Sequence, residues 1–593
     1  MKLFLILFSL FISAGVFSQI GFSEYSSDTL VSTYRTFGKM SDNNHSFTVF
    51  DHSFFSIDNP NFFLSKSALA SNGTLIDILD LSHKSTGQKI SALPHIGFGY
   101  IFGSQGAQRV SFEYGQVLPK DWVLNTQIRT SKLAGFFRNT EYSESHYGFS
   151  LSKQADKYGF IISGATDKIE RQWSGGVIDD SLLDFFAPQF IPVYKESCNS
   201  IFKGFNASVG SYFGLIKSNK LSLKYINESS IYGLNRVFNE IDTLNGIYAQ
   251  NYFDTLVTRD EFQHSTVDHF SGVRLQTGDL TYSSGLKGSY WNYRNMGLYR
   301  DTLELNIQHK LLLQKKNWKL NHSASYNTLG AFNEWHSKQS VDYRQSLSDL
   351  KNYIDFQFRN SISRSIPRVY QRFYVSNNTA YNNSNISLES TYSQELSIQL
   401  NRYLEGNGNM KLELSHTLDI HRGIYFFDIQ NLNWVNNSSL SNNTIQQFRM
   451  SFSFDKKNLN VRQAYRYTLL NNEALIIPKH YLFGSIDYKM GLFKDKKMEV
   501  ILGLNYSLNS KTHTISVVEN MGVYNLTNIN TDEFQNGLFN VGAYTSIEIE
   551  TFRFFLKVNN LGYLWNDLQW SYVDGLYLPE ITVRLGVTWD FWN

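Results

Sequence analysis

Polar and apolar residues alternate with a period of two in segments of about 9 to 11 residues, and the pattern recurs through most of the 593-residue chain. Leu124, Thr126 and Ile128 alternate with Asn125, Gln127 and Arg129, and Ile354, Phe356 and Phe358 with Asp355, Gln357 and Arg359. Phe448, Met450, Phe452 and Phe454 alternate with Gln447, Arg449, Ser451 and Ser453. The last segment sets Ile581, Val583, Leu585, Val587, Trp589 and Phe591 against Thr582, Arg584, Gly586, Thr588 and Asp590. Successive side chains of a strand point to opposite faces, so each segment has one apolar and one polar face. Clusters of Asn, Ser, Asp and Gly separate the segments, whose length is that of a tilted strand crossing a bilayer.

Alternation alone also suits a soluble sandwich, with the apolar face in a core and the polar face in water. Three features favour the membrane: strand-like segments continue from residue 95 to the C-terminus, large aromatics collect near segment ends, and the chain finishes on a strand. Barrels in outer membranes carry aromatic girdles and close by pairing first strand with last. The composition agrees, with 16% aromatic and 18% charged residues and only 8 Pro, because long ladders tolerate few residues lacking an N–H. Beyond the N-terminus no window approaches the roughly 20 apolar residues of a membrane helix, so strands must make any crossing. The sequence therefore predicts an all-β fold: a single large antiparallel transmembrane β-barrel, up-and-down, with an even number of strands between about 20 and 26.

The N-terminal MKLFLILFSLFISAGVFSQ places Lys2 before an apolar run from Leu3 to Ile12 and small residues after it. This is the pattern of a signal peptide over residues 1–18, cleaved before Gln19. No cysteine follows the run to take a lipid, and Cys198, the only cysteine, excludes an intrachain disulfide. A net charge of +2 gives no basic face for nucleic acid. Residues 19–90 alternate poorly, and SKSALASNGTLIDILDL within them has a partly helical pattern. They are expected to form a periplasmic or lumen segment ahead of a barrel over residues 91–593. Asp167 to Cys198, 238–264 and 520–537 read as long outer loops.

Several stretches resemble the large putative-porin family of Gram-negative outer membranes. They are SALPHIGFGYIFGSQGAQRVSFEYGQVLPKDW (Ser91 to Trp122), SKLAGFFRN (Ser131 to Asn139), WSGGVIDD (Trp173 to Asp180) and the closing GVTWDFWN (Gly586 to Asn593). The chain departs from the family's ending in one respect: Asn593 follows the usual final aromatic, so Phe591 or Trp592, beside Trp589, must serve as the barrel assembly signal. The resemblance implies an integral protein of the cell outer membrane, passive diffusion of small hydrophilic solutes, and no catalytic residues. The partners expected are outer-membrane lipid, the solutes and the barrel-assembly machinery, and a homo-oligomer is compatible with the sequence.

A diffusion channel needs only a polar lumen, so inward charges are the candidate site. Residues 340–470 carry 14 Lys plus Arg against 10 Asp plus Glu. Arg359, Arg368, Arg372, Arg449, Arg462 and Arg466 fall on polar register and are the pore-lining candidates for an anion-favouring wall. The competing reading makes them wall-stiffening partners of carboxylates such as Asp355 and Glu413. The glycines of GFGYIFG, Gly97 to Gly103, lack the spacing and helix of a dinucleotide site and read as a strand. Asn528, Asn530, Asp532 and Glu533 lack the glycine and distal Glu of a calcium loop. His264 and His269 are five apart and point to opposite strand faces. No metal, cofactor or enzyme motif is expected. The leading expectation is a porin-like channel. The alternatives are a structural or secretion-associated barrel that binds partner proteins, a gated uptake channel, and an outer-membrane enzyme.

Overall fold

The computed structural model describes Leu75–Asp77 and residues 93–592, apart from short stretches in the connections between strands. The signal-peptide region and all of residues 19–90 but Leu75–Asp77 lie outside the described residues. Twenty-two antiparallel strands close into one barrel. They are β1 (His95–Gly103), β2 (Ala107–Leu118), β3 (Trp122–Leu133), β4 (Tyr142–Gln154), β5 (Tyr158–Gln172), β6 (Cys198–Lys217), β7 (Ser222–Ile241) and β8 (Val257–Thr277). Next come β9 (Leu280–Asn295), β10 (Leu298–Lys315), β11 (Trp318–Leu329), β12 (Trp335–Ser346), β13 (Tyr353–Ser365), β14 (Glu389–Leu404) and β15 (Gly408–Arg422). The barrel ends with β16 (Asn443–Lys456), β17 (Leu459–Leu470), β18 (His480–Leu492), β19 (Met498–Asn509), β20 (Leu538–Ile549), β21 (Phe552–Asn559) and β22 (Thr582–Trp592).

Consecutive strands pair around the ring, and β22 returns to β1 with His95 opposite Trp592 and Gly103 opposite Arg584. Closure leaves no open edge. A Cβ on Gly103 would stand 2.1 Å from the Val583 carbonyl oxygen, so at this seam only glycine lets the two backbones approach. The GFGYIFG run is thus the first barrel strand, as its glycines predict.

Turns at the end of the barrel that carries His95 and Trp592 are short, such as Gly278–Asp279 and Lys316–Asn317, whereas the opposite end carries the connections 173–197, 366–388, 423–442, 510–537 and 560–581. Short periplasmic turns and long outer loops identify the two ends. One outer connection is tight: Met296 (φ 44) and Gly297 (φ 88) adopt the paired left-handed conformation that suits a two-residue hairpin.

The side chains divide as the alternation predicts. Phe356, Phe448, Met450 and Trp589 lie exposed on the outer wall, while Asp355, Arg449 and Asp590 take the inward register between them. Strands β6, β7 and β8 run for 20, 20 and 21 residues, about twice what a bilayer needs. Only their outer ends extend beyond the bilayer as the wall of the mouth.

Four sequence expectations shift. The loop expected from Asp167 begins only after Gln172, because β5 continues and Asp167 Oδ1 meets His146 Nδ1 at 2.6 Å. The loop expected over 238–264 shrinks to 242–256, and that over 520–537 starts earlier, at 510. Leu75–Asp77, inside the stretch with a helical pattern, is a strand paired with Val523–Asn525 of the 510–537 connection. Pairing to a distant partner there overrides local propensity.

Candidate functional site

Four of the six candidate arginines stand on inward register. Arg359 on β13 is held by Glu395 of β14 at 2.9 Å and donates to Gln357 Oε1 at 2.9 Å. Arg449 on β16 lies directly opposite Arg466 on β17, with Arg462 nearer the periplasmic end of the same face. Arg466 also rests over the Tyr481 ring at 5.5 Å. Two arginines facing one another across a ladder repel, so positive charge is concentrated at this point of the wall.

Arg372 is not on a barrel strand. It ends the short helix Val369–Arg372 in the 366–388 connection, buried over the rings of Trp291 (5.8 Å) and Phe373 (5.2 Å). The cause is Pro367, which cannot donate to the ladder, so β13 stops at Ser365 and the register is lost beyond it. Arg368 lies outside the described residues, as do Asn528, Asn530, Asp532 and Glu533. The named carboxylates have other partners: Asp355 takes Arg344 through two hydrogen bonds of 2.7 and 3.0 Å, and Glu413 takes Lys411 at 3.5 Å. His264 and His269 fall on opposite faces as predicted, with His269 Nδ1 hydrogen-bonded to Ser229 Oγ on the outer wall.

At the closing strand, Trp589 and Phe591 share the outward face with ring centroids 4.0 Å apart, and Trp592 pairs with His95 on the other register. Among the described residues, no group of three or more His, Cys, Asp or Glu side chains is arranged to hold a metal.

What the sequence reading missed is at the mouth. The connections 366–388, 423–442 and 510–537 fold inward and share an aromatic core with the inner wall of β7, β8 and β9. Tyr293, Tyr374, Phe427, Trp434 and Met521 are essentially inaccessible within it. The 510–537 connection starts from β19, yet it meets β7 and the 173–197 connection nearly across the ring. Arg236 of β7 donates to the Glu519 carbonyl, and Lys195 Nζ binds both Glu240 at 3.0 Å and Glu519 at 2.6 Å.

Hydrogen bonds knit the three connections together. Tyr374 Oη donates to the Asn520 carbonyl at 2.9 Å, Trp434 Nε1 to Tyr381 Oη at 2.8 Å, and Tyr381 Oη to the Tyr370 carbonyl at 2.6 Å. Asn377, at the tip of the hairpin formed by Phe373–Val375 and Ala380–Asn382, clips the start of β8. Its Oδ1 accepts from the N–H groups of Phe253 (2.8 Å) and Asp254 (2.9 Å), and its Nδ2 donates to the Asp254 carbonyl (2.7 Å) and Thr258 Oγ1 (3.0 Å). Beside this assembly, burial pushes the Glu334 carboxyl up to about 6 while it accepts the Ile366 N–H at 2.6 Å. Burial lowers the Arg372 guanidinium, and Glu334 and Glu304 oppose that shift. Large aromatics in segments that read as surface loops were the available sequence signal for this packing.

The architecture has relatives among solved structures. The copper transporter OprC superposes with a TM-score of 0.61 at 10% identity, covering 85% of this chain and 82% of that one. A mutant ferric enterobactin receptor from Pseudomonas aeruginosa gives 0.59 at 10% identity over 85% and 81%, and the siderophore receptor PirA from Acinetobacter baumannii 0.56 at 11% over 85% and 81%. At these identities the likeness is one of fold. No curated protein matches the chain. A family model described as "Putative porin" matches residues 92–593, the whole barrel, and the chain therefore belongs to this family as an integral outer-membrane protein.

Proposed function

We propose that this barrel carries small hydrophilic solutes across the outer membrane through a mouth that its own loops close, so that passage requires their displacement. The supporting observation is the loop assembly at the mouth: connections rooted in β13, β15 and β19 share a core with the inner wall of β7 to β9, and Lys195 ties the last of them to β7. The relatives of similar fold include a copper transporter and siderophore receptors, which supports an uptake role. The pairing of Leu75–Asp77 with Val523–Asn525 supports a place for these three residues against the 510–537 connection. No catalytic step belongs to this reading, and the outward pair Trp589 and Phe591 supports the terminal strand as the assembly signal.

A second reading, the open and weakly anion-selective channel, is favoured by the family description and by the Arg449, Arg462 and Arg466 wall. Single-channel recording in planar bilayers separates the two. A loop-closed barrel is expected to be silent or to flicker, and to conduct steadily once the loops are loosened. Large, steady conductance from the unmodified protein supports the passive channel and overturns the gated one.

A further inference from the structure

On the outer wall, strands β4 to β9 enclose a cavity of about 470 Å³ whose lining includes Tyr147, Lys168, Lys203, Phe205, Asn235 and Gln263. These six side chains share the outward register, as the pairings of Phe205 with Gly233 and of Asn235 with Gln263 require. The cavity faces the membrane and not the lumen. Its floor is apolar: the Phe205 ring lies flat across Gly233, where a Cβ would stand 2.1 Å from the ring, and Tyr147 and Phe205 are each nearly half exposed.

The cavity sits where the wall changes character. Below it, β5 presents Tyr158, Phe160 and Ile162 outward, whereas Thr166 and Lys168 line the cavity itself and Glu170 follows beyond it. That transition on the loop-bearing side is the boundary between acyl chains and headgroups of the outer leaflet. There Lys168 and Lys203 stand directly opposite each other on neighbouring strands. Like charges so placed repel, and an anion between them would relieve the repulsion. Lys168 has Glu170 at 2.6 Å, while among the described residues no carboxylate lies within ion-pair distance of Lys203. Beside them Asn235 and Gln263 both donate to Glu261 at 3.1 Å, and the Asn235 Oδ1 is buried without a hydrogen-bond partner.

We propose that this cleft binds a phosphorylated glycolipid of the outer leaflet. An acyl chain lies on Tyr147 and Phe205, a phosphate bridges Lys168 and Lys203, and sugar hydroxyls meet Asn235 and Gln263. Charge-assisted bonds from both ammonium groups hold the phosphate, and the aromatic floor supplies the apolar contact.

The test uses the full-length barrel in nanodiscs and native mass spectrometry, with bis-phosphorylated lipid A, its dephosphorylated form and inorganic phosphate as probes. Retention of bis-phosphorylated lipid A is expected to fall about tenfold in the Lys168→Gln/Lys203→Gln variant and to survive in Lys168→Arg/Lys203→Arg. Heat-modifiable gel mobility confirms that each variant is folded. Equal retention of dephosphorylated lipid A, or no loss in the glutamine variant, overturns the proposal. Inorganic phosphate binding as tightly as lipid A overturns it in favour of a free-anion site. A dimer abolished by the same glutamine substitutions overturns it in favour of a second copy of this chain.

Discussion

Lys195 stands between Glu240 on the wall and Glu519 on a loop rooted across the barrel, at 3.0 and 2.6 Å, with all three side chains largely buried. One ammonium therefore ties the 173–197 connection, strand β7 and the 510–537 connection together. Replacing it by alanine leaves two buried carboxylates without their shared partner, a change that costs about 3 to 5 kcal/mol in such settings. Lys195→Ala is expected to free the 510–537 connection. In single-channel recordings the open time should rise several-fold over the unmodified barrel, and an unchanged trace would show that this contact does not hold the mouth shut.

The Glu334 carboxyl gives the mouth a dependence on pH. Its value rises from 4.5 for the free side chain to about 6 in the fold, so between these values the folded state holds a proton that the unfolded state has lost. Stability is greatest below the lower value, falls as pH rises through the window, and is constant above the upper one. The full change is about 2 kcal/mol. Protection factors of the amides in the 366–388 connection, each taken relative to the intrinsic exchange rate at the same pH, should accordingly be larger at pH 4.5 than at pH 7, and Glu334→Gln should flatten that difference. Smaller protection factors at the lower pH would contradict the assignment.

Arg449, Arg462 and Arg466 present three cations on two adjacent strands. If current passes along this wall, the Arg449→Gln/Arg462→Gln/Arg466→Gln variant should shift the reversal potential in a salt gradient toward cation preference. Arg359, already held by Glu395, should matter far less when changed alone. An unmoved reversal potential in the triple variant removes this wall from the path of the ions.

Gly103 tests the seam. A valine there meets the Val583 carbonyl at a distance no side chain tolerates, so β1 and β22 cannot keep their register. Gly103→Val is expected to abolish heat-modifiable gel mobility, the sign of a closed barrel, whereas Gly288→Ala, where an added Cβ meets nothing within 4 Å, should preserve it.

The barrel was legible because period-two alternation is a local property: each Cβ points to the face opposite its neighbours', so inward and outward residues follow from the order of residues alone. Arg359, Arg449, Arg462 and Arg466 reached the inward register for that reason, and the glycines of the first strand and the aromatics of the last were placed by the same rule. Where the rule breaks, the prediction broke with it. Arg372 lies past Pro367 and left the wall for a loop helix, and Leu75–Asp77 took a strand from a partner over 400 residues away. The mouth was beyond reach for a further reason. Lys195 and Glu519, or Tyr374 and Asn520, meet only because closing 22 strands into a ring brings connections from opposite sides within contact of one another, and no spacing along the chain records that distance. The sequence by itself determined the barrel wall and its two faces; the tertiary structure decided which loops cross its mouth and what holds them there, because those contacts exist only once the ring has closed.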